Sequence, residues 1–70
     1  MKLILIMYVC SVVGNTCMPP IQAPEIYNSW YECSLNGYQK SLDILEEMST
    51  DQVNEHKIYT KFYCKEQLTS

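Results

Sequence analysis

Cys10, Cys17, Cys33, Cys64 and His56 are the residues of this chain whose types suit chemistry. Cysteine and histidine together can ligate zinc or make a nucleophile–base pair, and cysteines alone can cycle between thiol and disulfide or staple the chain. Spacing separates these roles. Structural zinc takes its ligands in close sequence pairs, and positions 10, 17, 33, 56 and 64 form none. There is no C-x-x-C, so a thioredoxin-type redox pair is unsupported. A nucleophile at Cys17 or Cys64 served by His56 would need an orienting third residue and an oxyanion loop, and the sequence points to neither. Two glycines, Gly14 and Gly37, are too few for a phosphate-cradling loop. Glu46, Glu47 and Asp43 fit a solvated helix face. No catalytic, cofactor-binding or metal-ligating residue is therefore expected, and the chain is not expected to be an enzyme. Stapling remains, and it has a physical reason: 70 residues bury too little surface for comfortable stability.

The elements that hold these cysteines must fit in a single small domain. Apolar residues make up 47% of the chain and charged residues 19%, which places it among folded chains. The net charge is −3, with five lysines and no arginine, so the clustered cations that bind a nucleic-acid backbone are missing. No nucleic-acid partner is expected.

Residues Leu3 to Val13 can be read in two ways. As a secretory signal they follow a minimal positive start, Met1-Lys2, and end at the small residue Gly14. As a strand they are strongly β-prone, and apolar residues of both parities imply cover on both faces. Gly14-Asn15 would then close a turn. The run is too short for a membrane span, which wants about 20 apolar residues. Cleavage after Gly14 leaves three cysteines and strands one thiol. The intact chain keeps four, an even set with three possible pairings. This parity favours the strand from Leu3 to Cys10.

Three prolines between Met18 and Tyr27 (Pro19, Pro20, Pro24) exclude helix and central strand and predict an extended connector. Ser29-Trp30-Tyr31-Glu32 then forms a capping box. From there to about Met48 the pattern is helical. Glu32, Asn36, Gln39, Asp43, Glu46 and Glu47 share the polar face. Tyr31, Leu35, Tyr38, Leu42 and Leu45 line the opposite one, and Trp30, Cys33, Gly37, Ile44 and Met48 extend the apolar sector along a flank. Gly37 on that flank is either a tolerated defect or the mark of close approach by another element. Asp51 to Glu55 suggest one helical turn. Lys57 to Cys64 alternate as a half-buried strand, with Ile58, Thr60, Phe62 and Cys64 on one face and Tyr59, Lys61 and Tyr63 on the other.

Together these elements predict an α+β fold: a small three-stranded sheet in ββαβ order, with the N-terminal strand central and antiparallel to both neighbours. A single helix at about 29–48 covers one face. The other face is left to tyrosines and aliphatic side chains, a candidate contact surface. Cys33 on the helix flank and Cys64 on the inward strand face predict one disulfide, with Cα atoms within roughly 7 Å. Cys10 and Cys17 are then paired by elimination across the turn. Six tyrosines cannot all be interior in so small a domain. Tyr59 and Tyr63, on the strand face away from the core, are the candidate partner-binding residues.

The apolar start, the short glycine turn, the Tyr27-to-Cys33 stretch, Gly37-Tyr38 and the final strand from Ile58 to Cys64 make a pattern spanning nearly the whole chain. In it the chain resembles small uncharacterised cysteine-containing proteins of bacterial and marine-phage genomes. What the resemblance implies concerns fold and carries no activity to any residue. The expected function is a non-enzymatic, disulfide-stapled interaction protein, extracytoplasmic or virion-associated, that binds a protein partner or itself. The alternative is a secreted effector or inhibitor left after removal of residues 1–14.

Overall fold

A computed structural model describes residues 2–67 of the chain. Its elements in order are β1 (Leu3–Ser11), β2 (Thr16–Cys17), β3 (Ile21–Tyr27), α1 (Trp30–Glu47), α2 (Thr50–His56) and β4 (Ile58–Glu66). The fold is α+β, with a small antiparallel sheet.

The most apolar segment takes the middle of the sheet. β1 pairs antiparallel with β4 along its full length, from Leu3 opposite Glu66 to Ser11 opposite Ile58. Its other edge is shared. β2 pairs with Cys10 and Ser11, while β3 pairs with Leu3 to Met7. Alternation then sorts the side chains: Leu3, Leu5, Met7 and Val9 are buried on the inner face, and Ile4, Ile6 and Tyr8 are half-buried on the outer one. Asn15 closes the β1–β2 turn with φ 51°, a left-handed conformation that asparagine tolerates better than most residues.

One expectation is corrected here. Residues 21–27, read from their prolines as part of a connector, form an edge strand, so the sheet has four strand segments where three were expected. The register between β1 and β3 shifts between Ile4 and Ile6, opposite the stretch that holds Pro24. An edge strand with a bulge can accommodate a residue that lacks an N–H. The prolines excluded a central position and nothing more.

α1 begins where its cap places it: the Ser29 hydroxyl accepts the Glu32 N–H at 3.1 Å. Ser49 caps α2 likewise through the Gln52 N–H at 3.2 Å. The expected single turn is a two-turn helix, so two helices stand where one was expected, and Lys57 ends the second in a left-handed conformation.

The rotation of α1 differs from the periodicity reading. Cys33 and Gly37 are its buried residues, with Ser41 and Ile44 half-buried beside them. Tyr31, Leu35, Tyr38 and Leu42 face outward, Tyr31 with 72% of its surface exposed. The flank that looked secondary is the packing face. Its small residues explain this: a Cβ added at Gly37 would land on the Phe62 ring. The helix is held too close to β4 for bulkier side chains to lie between them. The core that results is Leu3, Leu5, Met7, Ala23, Tyr27, Cys33 and Cys64, with Ile44 and Phe62 packed against it.

Candidate interaction surface

The four cysteines come together in two pairs. Cys33 on α1 joins Cys64 on β4, with Cα atoms 6.2 Å apart, and the bridge lies in the core. Cys10 joins Cys17, with Cα atoms 4.0 Å apart across the hairpin. The Met18 N–H bonds the Val9 carbonyl at 2.8 Å, which makes Cys10 and Cys17 a pair without mutual hydrogen bonds. Side chains approach most closely at such positions. These are the pairings that the face and elimination arguments reached. With both sulfurs engaged, neither Cys17 nor Cys64 offers a thiol to His56. The His56 side chain is exposed, and its carbonyl accepts a 2.7 Å hydrogen bond from the Ser11 hydroxyl. The same hydroxyl accepts the Gly14 N–H at 3.0 Å, so Ser11 ties the hairpin turn to the end of α2.

α1 lies against the inner face of the sheet and leaves the outer face open. That face carries Ile4, Ile6 and Tyr8 in the middle, flanked by Ile26 on β3 and by Tyr59, Lys61 and Tyr63 on β4. Tyr63 sits diagonally across from Tyr8, and the two rings stack with centroids 6.2 Å apart and planes 20° from parallel. The Lys61 ammonium lies 5.2 Å from the centroid of the Tyr8 ring, within cation–π range. Hydrogen bonding with Tyr63 and then partial burial push the Tyr8 phenol above its ordinary value. Tyr59 and Tyr63 leave 43% and 46% of their surface exposed, which keeps both available for contact. β-alternation placed both residues on this face, and Tyr8 completes the cluster. In the sequence Tyr8 reads as one residue of a strand apolar on both sides, with nothing to set it apart.

On the inner side, α1 and β3 part around a cleft of about 340 Å³ lined by Met7, Ile21, Ala23, Pro24, Lys40 and Ile44 among others. Lys40 and Glu25 pair near it at 3.4 Å, both partly exposed. A solvated pair of this kind contributes little to stability. Deeper in, Tyr27 is buried and its hydroxyl has no hydrogen-bond partner among the described residues. Among those residues there is no cluster of side chains able to hold a metal ion, and no helix long and apolar enough to cross a membrane.

No family model matches the chain, and no curated protein or solved structure is significantly similar to it.

Proposed function

We propose that this is a non-enzymatic interaction protein, a disulfide-stapled domain that binds a protein partner through the tyrosine-lined outer face of its sheet. The observation that carries this reading is the Tyr8–Tyr63 stack with Lys61 beside it, flanked by Tyr59, on a face that α1 leaves uncovered. Aromatic rings that are amphipathic and rigid supply contact area with little loss of rotamer freedom. Lys61 and Lys65 on the same face, in a chain of net charge −3, suit a partner surface that presents carboxylates. Two disulfides in so short a chain suit an oxidising location, extracytoplasmic or on a virion.

The alternative, an effector formed by removing residues 1–14, would lose the central strand of the sheet and leave Cys17 without Cys10. Placement of Leu3–Ser11 between β3 and β4 thus supports the reading in which this segment works as a strand. The intact mass of secreted protein separates the two readings, since a species beginning at Asn15 selects the effector.

Tyr59→Ala combined with Tyr63→Ala tests the binding face. The double variant keeps its circular dichroism and both disulfides, and loses at least about tenfold in affinity for the partner. His56→Ala binds as the unaltered protein does. Full binding by the double variant rejects this face, and turnover of any substrate that disappears with His56→Ala rejects the class.

A further inference from the structure

We infer that a second copy of this chain pairs with the free edge of β4, and that the exposed stripe Tyr31, Leu35, Tyr38 and Leu42 on α1 meets its own counterpart beside that edge. This goes beyond the outer-face reading: it rests on the backbone edge of β4 and the helix stripe, and touches the outer-face residues of β4 only along their flank.

The edge is available and regular. Among the described residues β4 pairs with β1 alone, over nine residues without glycine or proline. Two ladder bonds fix which way its backbone points: the Gln67 N–H donates to the Lys2 carbonyl and the Val12 N–H to the Lys57 carbonyl. Odd-numbered residues of β4 therefore bond to β1. Even-numbered ones, Thr60, Phe62 and Cys64, turn N–H and C=O outward. A strand edge of this kind is a template for another strand.

Side chains select the occupant. In an antiparallel pairing of β4 with itself centred on Phe62, each of the nine residues finds a partner, and the outward-pointing groups of Thr60 and Cys64 bond to each other across the two-fold axis. On the outer face that register sets Lys61 opposite Tyr63 and Tyr59 opposite Lys65, at the closely spaced positions. Each ammonium faces a ring, an arrangement that Lys61 and Tyr8 already make within one chain. Moving the centre to Lys61 would oppose two lysines, and moving it to Tyr63 would set Lys61 against Lys65.

The inner face fits the same register. α1 packs more closely on β4 than on β1 or β3, and Tyr38 meets Phe62 edge to face at 4.9 Å. Pairing at a strand spacing of about 4.8 Å places the two α1 axes about 10–14 Å apart, a gap that tyrosine and leucine fill. Phe62 and Tyr38 of both copies would form an aromatic cluster at the axis, where binding energy concentrates. Tyr31, Leu35, Tyr38 and Leu42 are 72%, 52%, 67% and 55% exposed. With the edge they offer roughly 600 Å² per copy, about 1,200 Å² in all, the lower limit for a specific stable interface.

Sedimentation equilibrium of the full chain tests the inference. The unaltered protein is expected at twice its 8.2 kDa mass, concentration-dependently. Thr60→Pro removes an N–H that points to the partner and not to β1, so the fold persists while the dimer dissociation constant rises by at least about tenfold. Tyr38→Glu with Leu42→Glu, on exposed positions, does the same. A monomer at every concentration overturns the inference, and so does a dimer that survives either variant in folded form. Partner binding at Tyr59 and Tyr63 is unaffected by the helix variant, so the two readings fail separately.

Discussion

At its Cys33 end α1 is bridged to the sheet, and towards its Glu47 end a cleft opens between it and β3. The first contact is made by Cys33 bridged to Cys64 and by Gly37 under the Phe62 ring. Towards the other end the cleft beside β3 opens around Ile44. Smaller clefts of about 250 and 220 Å³ flank Met48, one shared with Val53 of α2 and one with Val9 and Ile58. The packing face of the helix runs from cysteine and glycine to isoleucine and methionine. Side-chain volume increases along it, from the closely packed end to the end beside the cleft. One glycine and one disulfide set the distance at which the two layers meet. The hydrophobic residues farther along α1 follow from that distance.

The strongest way to break the contrast is to remove the bridge at the closed end. Cys33→Ala with Cys64→Ala releases a closure across 31 residues and lowers unfolding free energy by about 4 kcal/mol in the chain-entropy treatment, measured by urea denaturation. The hairpin bridge closes only 7 residues, so Cys10→Ala with Cys17→Ala loses about 2 kcal/mol in the same assay. A larger loss from the second pair would make the open end the anchor.

Added carbon meets opposite surroundings at the two ends. Gly37→Ala gains about 1 kcal/mol of helix propensity, yet drives a methyl into Phe62 and is expected to lose about 2 kcal/mol net. Ala23→Val, which grows into the open cleft, shifts stability by less than about 1 kcal/mol, in the favourable direction. Equal responses in thermal unfolding would contradict this difference in packing.

Tyr27 gives the smallest effect. Burial, then the nearby Glu25 charge, raise its phenol above the ordinary 10.0. A raised phenol holds its proton more tightly in the folded chain than in the unfolded one, so its contribution is complete below pH 10 and is lost as pH rises beyond it. Tyr27→Phe also removes a buried hydroxyl without a partner and is expected to be neutral or stabilising by up to about 1 kcal/mol. Its denaturation midpoint should fall less than that of the unaltered protein between neutral pH and about pH 11. A steeper fall would mean that another group governs the alkaline limb.

Where a single local signal sufficed, the sequence was legible. The run from Leu3, the Ser29 cap and the alternation from Ile58 located β1, α1 and β4; face assignment paired Cys33 with Cys64, and elimination left Cys10 with Cys17. β3 was hidden because proline reports on hydrogen-bonding capacity, and an edge strand can do without part of it. The rotation of α1 was hidden for another reason. Two adjacent sectors are apolar, and hydrophobicity cannot say which is buried when one is bulky and the other is small. Gly37 carried that information, through steric fit with a residue 25 positions away. The outer tyrosine cluster was half legible: Tyr59 and Tyr63 stood out, while Tyr8 looked like any residue of a doubly covered strand.

The broken edge at β3 has a consequence for how far copies of this chain can add to one another. A sheet with two regular edges recruits neighbours at both, and each recruit offers a fresh edge, so growth has no natural end. Here one border is interrupted by Pro19 and Pro20 between β2 and β3, and again by the displaced register at Pro24. Pairing at β4 uses up the only continuous border among the described residues. Were copies to add at β4, assembly by strand addition would stop at two, because the prolines that keep the segment out of the sheet's centre also leave β3 without a regular edge.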